Sequence, residues 1–275
     1  MVWIIVLLGL IQGLTEFLPI SSSGHLVLLY DIFGIENNQI FLSIILHLAT
    51  LLAVIIYYRK DIIKLIKNPF CKTNKKLFLT TVTTCVIVLF LKPVVEKTFD
   101  GKYLFVFFLL TAVILFISDY MSDKNTKLSY NDNKLSKTRL TDDYYNICDL
   151  DISYKQAFII GVTQAVACIP GISRSGSTIA IAKICGVKKD CAKYSFLISI
   201  PIIIASLIME LISGVTFDSF NIGLIISLIV CFIVGLLSIK IMTRFVDKNK
   251  LFIFGYYLII LSAFLILNDM VLHLF

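Results

Sequence analysis

Two segments of the chain, GLIQGLTEFLPISSSGH (9–25) and GVTQAVACIPGISRSGS (161–177), align without a gap. Gly9 falls on Gly161, Gln12 on Gln164, Ile20 on Ile172, Ser21 on Ser173, Ser23 on Ser175 and Gly24 on Gly176. Chance gives roughly one identity in such a window. The chain is an internal duplication, and its fold has to accommodate the same polar, helix-breaking turn twice. Each copy sets hydroxyls and glycines inside very apolar sequence. Together the copies add Glu16, His25 and Arg174, which hydrocarbon tolerates only for a purpose.

The solvent for these residues follows from composition. With 58% hydrophobic and 16% charged residues and a mean hydropathy of +0.92, the sequence describes a multi-spanning membrane protein. The net charge of +7 does not point to nucleic acid, because Lys and Arg are confined to a few short loops, as on the cytoplasmic side of membrane proteins. No base precedes Arg59, so the apolar N-terminus lacks the positive flank of a signal peptide and is read as part of the fold. The seven cysteines form no CxxC pair and read as small buried hydrophobes.

Six stretches, 41–58, 77–91, 103–118, 194–213, 222–242 and 251–275, approach the roughly 17 to 25 residues a crossing needs, some with help from their flanks. The two repeated segments differ in kind: each is apolar, then broken by Pro, Gly and Ser, then apolar again, a pattern that enters the membrane and turns back. Bases crowd 59–76, 183–193 and 244–250, whereas 30–40 and 214–221 hold acids and no bases. The first group is expected in the cytoplasm and the second outside.

Each half then consists of one re-entrant hairpin and three crossings, and the odd number inverts the second half relative to the first. The expected architecture is an all-α membrane protein of six transmembrane helices plus two re-entrant helical hairpins in an inverted-topology repeat. It forms a single integral membrane domain, 1–275, in the cell membrane with both termini outside. Repeat one is 1–118, a polar cytoplasmic insert is 119–155, and repeat two is 156–275. The insert reads as disordered, with no catalytic part. In inverted repeats the broken helices of the two halves meet within the membrane and build one shared site.

At the breaks, Ser21, Ser22, Ser23 and Gly24 in one turn face Ser173, Arg174, Ser175, Gly176, Ser177 and Thr178 in the other. Hydroxyls and glycine-turn amides at a helix start bind anions, and an arginine fork grips phosphate through two hydrogen bonds. Phosphate is the natural ligand. Gln12 and Glu16 stand one helical turn apart, and two oxygen-bearing side chains on one face suit a hard divalent cation, Mg²⁺ or Ca²⁺, bridging to phosphate oxygens. The plainer alternative is that Glu16 pairs with Arg174. His25 follows the Ser-Gly turn directly, where it can act as base, acid or nucleophile, or serve as base to Ser22. His47 and His273 read as passive hydrogen-bonders.

The motifs QGLTEFLPISSSGH and PGISRSGST, with YSFLISIP (194–201) after the second, resemble the paired signatures of the undecaprenyl-diphosphatase family, also called bacitracin resistance proteins. The likeness runs through the chain in order and spacing. It implies an integral membrane phosphatase, with an active site facing outside, that hydrolyses undecaprenyl diphosphate to the monophosphate and inorganic phosphate. Such an enzyme recycles the lipid carrier for cell-wall polymers and confers bacitracin resistance. The family's functional positions map onto Gln12, Glu16, Ser22, His25, Ser173, Arg174 and Thr178, with Glu16, Ser22, His25 and Arg174 as the catalytic set. Gln12 stands where some relatives carry Glu, which removes one negative charge from the metal position. The expected partners are the polyprenyl diphosphate lipid, the membrane and, as an open expectation, a second copy in a homodimer. Broken helices meeting at a midplane also build secondary transporters, so a flippase or carrier of phosphate-bearing anions is the rival class.

Overall fold

The apolar run that opens each repeat stops short of a membrane's width because its sequence breaks the helix. The computed structural model describes residues 2–35, 39–98, 101–132, 147–187, 189–212 and 222–272. Among the described residues it is all helix, without a strand. In repeat one, α1 (Val2–Thr15) turns through Pro19 into α2 (Ser22–Ile32), followed by α3 (Gln39–Tyr57), α4 (Arg59–Lys67), α5 (Lys72–Lys97) and α6 (Leu104–Asp132). In repeat two, α7 (Tyr154–Val166) turns through Pro170 and Gly171 into α8 (Arg174–Ile184), followed by α9 (Cys191–Ile212), α10 (Ile222–Asp247) and α11 (Phe252–Leu267). The 14 residues of α1 and 13 of α7 rise roughly 20 Å at 1.5 Å each, less than a hydrocarbon core of about 30 Å. Proline cannot continue either helix, so the chain turns where the sequence places it.

Among the described residues five helices, α5, α6, α9, α10 and α11, are long and apolar enough to cross a bilayer, and α3 with α4 makes a sixth candidate bent by 76°. The expected spans 41–58 and 194–213 coincide closely with α3 and α9. The span expected at 77–91 is longer at both ends, because Lys72, Lys75 and Lys76 sit in its first turns and Pro93 lies within its last. Polar flanks of this kind extend a helix beyond hydrocarbon without appearing in a hydropathy window. The expected external loop 214–221, residues 36–38 of the other, residues 133–146 of the insert and His273 lie outside the described residues.

The insert 119–155 needs correction at both ends. Its first residues continue α6 to Asp132. Its last residues are fastened to α5: Lys72 pairs with Asp149 at 3.0 Å, Thr73 Oγ1 accepts from Leu150 N at 3.0 Å, and Lys76 Nζ donates to the Leu150 carbonyl at 2.8 Å. Ile147, Leu150 and Ile152 are buried there, and that apolar anchorage orders the end of a segment whose polarity predicts a loose loop.

The first helix of each repeat packs against a crossing helix of the other, α1 on α10 and α7 on α5. Aligned residues make these contacts. Ser227 Oγ donates to the Ile5 carbonyl at 2.7 Å, and Thr80 Oγ1 donates to the Ala157 carbonyl at 3.0 Å. A Cβ on Gly9 would lie 2.3 Å from Ser227 Oγ, and one on Gly161 would lie 2.8 Å from the Thr80 carbonyl. Both glycines are required by close approach of backbones, the usual role of small residues between membrane helices. Further contacts, chiefly α6 with α11, α3 with α10 and α6 with α8, close the bundle around the two turns.

Candidate active site

Each turn ends in a serine that caps the next helix. Ser21 Oγ accepts from Gly24 N at 3.3 Å, and Ser173 Oγ accepts from Gly176 N at 3.1 Å. In each copy the cap hydroxyl lies 3.4 Å from that of the serine two residues on, Ser23 and Ser175 respectively. This satisfies one of the orphan amides of each helix start. The turns also interlock. Gly171 N donates to Ser21 Oγ at 3.1 Å, and Ser175 Oγ donates to the Leu18 carbonyl at 3.2 Å. A Cβ on Gly24 would meet Phe108 at 2.8 Å and Gly171 at 3.1 Å, and one on Gly176 would meet Pro19 at 2.8 Å. Gly171, at φ +91°, occupies the left-handed region that glycine enters at no steric cost.

Glu16 is the hub of this space. Its side chain is 3% exposed, yet four groups address it. Gln12 Nε2 donates to Oε2 at 2.8 Å and Ser22 Oγ donates to Oε2 at 2.6 Å. Arg174 Nη2, at the first position of α8, donates to Oε1. His47 Nε2 lies 3.5 Å from Oε2. Residues from both repeats therefore meet at one carboxylate. A charge buried this deeply persists only when paired and hydrogen-bonded. Arg174 retains a side chain 20% exposed, so its fork is not wholly consumed by Glu16.

The other predicted residues are placed elsewhere. His25 does not meet Ser22. Its Nδ1 lies 2.7 Å from the Ser21 carbonyl and its Nε2 lies 2.7 Å from the Tyr257 hydroxyl, whose ring stacks on it at 5.8 Å between centroids. A carbonyl only accepts, so Nδ1 carries the proton and Nε2 accepts from Tyr257. Thr178 Oγ1 donates to the Arg174 carbonyl at 2.8 Å and contacts Ser195 Oγ at 2.6 Å, which fixes the first turn of α8. Ser177 Oγ is buried without a hydrogen-bond partner. Ser173 N donates to Thr111 Oγ1 at 3.1 Å, which ties the second turn to α6.

Two residues went unpredicted as site members. His47, expected to be a passive hydrogen-bonder, reaches Glu16; its place one turn beyond Ser43 on an apolar helix carries no sign of a partner in the α1–α2 turn. Tyr257 lies in the last span, where tyrosine ordinarily marks an interface. A cavity of about 140 Å³ lined by Leu28, Asp31, Lys102, Phe105, Leu265 and Asp269 among others opens between α2, α6 and α11, and neither Glu16 nor Arg174 lines it.

Among the described residues no three His, Cys, Asp or Glu side chains form a metal cluster. One observation does fit a hard cation: Gln12 Oε1 is buried with no hydrogen-bond partner, beside a carboxylate oxygen. That pair supplies a minority of a cation's oxygen shell, and phosphate oxygens would have to supply much of the rest.

Fold and site define a polytopic helical membrane protein in which the starts of two helices and an arginine meet at a buried glutamate. The family described as bacitracin resistance protein BacA matches residues 5–264, and the chain belongs to that family. The undecaprenyl-diphosphatase of Methanococcus vannielii is 37% identical over 269 residues, covering 95% of this chain and 98% of the relative. That of Thermosipho africanus is 38% identical over 265 residues, covering 94% and 96%. Undecaprenyl-diphosphatase 4 of Bacillus thuringiensis is 37% identical over 256 residues, covering 91% of each chain.

Proposed function

We propose that the chain is an undecaprenyl-diphosphate phosphatase: it hydrolyses undecaprenyl diphosphate to undecaprenyl phosphate and inorganic phosphate, and so confers bacitracin resistance. The carrying observation is the meeting of Glu16, Ser22 and Arg174 across the two turns, in a chain that belongs to the BacA family over most of its length. Family membership favours this hydrolase over a transporter of lipid phosphates.

The diphosphate lies between the starts of α2 and α8, where helix amides and the Arg174 fork offset its charge, and the polyprenyl tail runs along the apolar helices. Substrate phosphate draws Arg174 from Glu16. Ser22 Oγ passes its hydroxyl proton to Glu16 Oε2, to which it already donates, and attacks the terminal phosphorus. The bridging P–O bond breaks and undecaprenyl phosphate leaves with the bridging oxygen. Water then cleaves the phosphoserine, restoring the Ser22 hydroxyl and releasing phosphate. His25, held by the Ser21 carbonyl, orients the α2 turn and supplies a base beside it. A divalent cation, Mg²⁺ or Ca²⁺, would be held by Glu16 and Gln12 Oε1 and when bound would offset phosphate charge.

Loop charge supports a site opening outward with both termini outside, the second half inverted relative to the first. Cysteine labelling at Asn74 tests this orientation, and labelling from outside would reverse it. The activity is tested by phosphate release from a C55 polyprenyl diphosphate by the purified chain, with and without EDTA. Divalent-dependent release is expected. No release from folded protein would move the carrier reading forward.

A further inference from the structure

We infer that α4 is a binding site for the anionic phospholipid headgroups of the surrounding bilayer, with Lys60, Lys64 and Lys67 as its contacts. The helix leaves the end of α3 at 76°, so it runs across the direction of the span instead of continuing it. It is held there firmly. Asp61 pairs with Lys193 at 3.3 Å, and Asn74 Nδ2 donates to the Leu65 carbonyl at 2.8 Å and the Asn68 carbonyl at 3.0 Å.

At about 100° of rotation per residue, seven of its nine residues fall into three adjacent sectors, while Asp61 lies between Lys64 and Leu65 and the exposed Arg59 sits at the helix start between Ile63 and Ile66. Leu65 and Ile62 point into the protein and pack on its core. Ile63 and Ile66 form the next sector, 51% and 72% exposed, with Phe70 just past the helix at 85%. Lys60, Lys64 and Lys67, all exposed, form the third, a row about 10 Å long at 1.5 Å per residue. None of these lysines makes an ion pair with an acid among the described residues, and the nearest acid on the helix, Asp61, is taken by Lys193.

An apolar sector beside a basic one, on a helix lying across a span, matches a helix seated in the membrane interface with its lysines at phosphate level. An acidic protein partner would match the lysines but would leave Ile63, Ile66 and Phe70 in water. The bases of 59–76 assign α4 to the cytoplasmic side, where anionic lipids concentrate and each nearby Lys adds to the attraction.

The test is lipid selectivity of the purified chain in mixed phosphatidylglycerol and phosphatidylcholine nanodiscs, read as lipid retained after extraction. The wild type is expected to retain phosphatidylglycerol at least about threefold over phosphatidylcholine, less so at high salt. The preference is expected to vanish in K60Q/K64Q/K67Q and persist in K60R/K64R/K67R. The Lys75→Gln variant, an exposed base on another helix, is expected to leave it intact. A K60Q/K64Q/K67Q protein with unchanged circular dichroism and undiminished preference overturns the inference, as does a wild type with no preference or one insensitive to salt.

Discussion

The two turns share a backbone plan and divide the chemistry between them. Ser21 and Ser173 cap α2 and α8 alike, and Gly24 and Gly176 bring each helix start against the opposite turn. The aligned side chains diverge where they face the ligand space. Glu16 aligns with Cys168, Ser22 with Arg174 and His25 with Ser177. The first turn holds the carboxylate, hydroxyl and imidazole, and the second holds the cation. Duplication supplied a symmetric scaffold, and function lies in the positions where symmetry is lost. Neither turn alone has a paired charge, so neither half makes a site.

The largest effects should come from the residues that break the symmetry. Glu16→Ala and Arg174→Ala are each expected to lower phosphate release at least about a hundredfold, the scale of a lost electrostatic or acid–base group. Each leaves the other charge unpaired, so unfolding has to be excluded by size-exclusion profile. The double variant should be little worse than either single one, because the residues act as a pair. Additive losses would separate them. Ser22→Ala is expected to fall about as far, and Ser173→Ala, at the cap of the second turn, by under tenfold. Equal losses would mean the hydroxyls only position phosphate.

Tyr257→Phe comes next, with turnover down about tenfold, the scale of a lost buried hydrogen bond, and with the melting midpoint little changed. A wild-type rate would show that the Ser21 carbonyl suffices to orient His25. Gly9→Ala and Gly161→Ala then test what remains symmetric: each is expected to lose about 1–3 kcal/mol by overpacking, read as a lower thermal midpoint in detergent. A loss at only one would make the two helix crossings unequal. The smallest change is at Ser177→Ala, which removes a buried hydroxyl without a partner and should be near neutral or slightly stabilising.

The sequence carried the class, the spans and the existence of two facing turns, because apolar length and punctuation by Pro, Gly and Ser are local signals. It also named Glu16, Ser22 and Arg174, which the folded chain brings together. It left open whether His25 serves Ser22 as base or acts alone; the helix carries the two to different neighbours, one to Tyr257 and the other to Glu16. Contacts over long sequence separations, such as His25 with Tyr257 or His47 with Glu16, leave no trace in spacing. Helix α4 was legible in principle: Ile62, Leu65 and Ile66 recur at helical spacing within 59–76, but the charges around them read as a loop.

Ser21 has a backbone φ of +68°, which costs a non-glycine residue on the order of 1–3 kcal/mol. Its oxygens accept from Gly24, His25 and, across 150 residues, Gly171. This gives biosynthesis an order. A nascent chain that has not reached Gly171 lacks the partner from the second turn, so the first hairpin should settle only when the second arrives. A chain truncated at 118 should show greater protease cleavage near Ser21 than the full chain, and equal protection would mean that the first turn forms on its own.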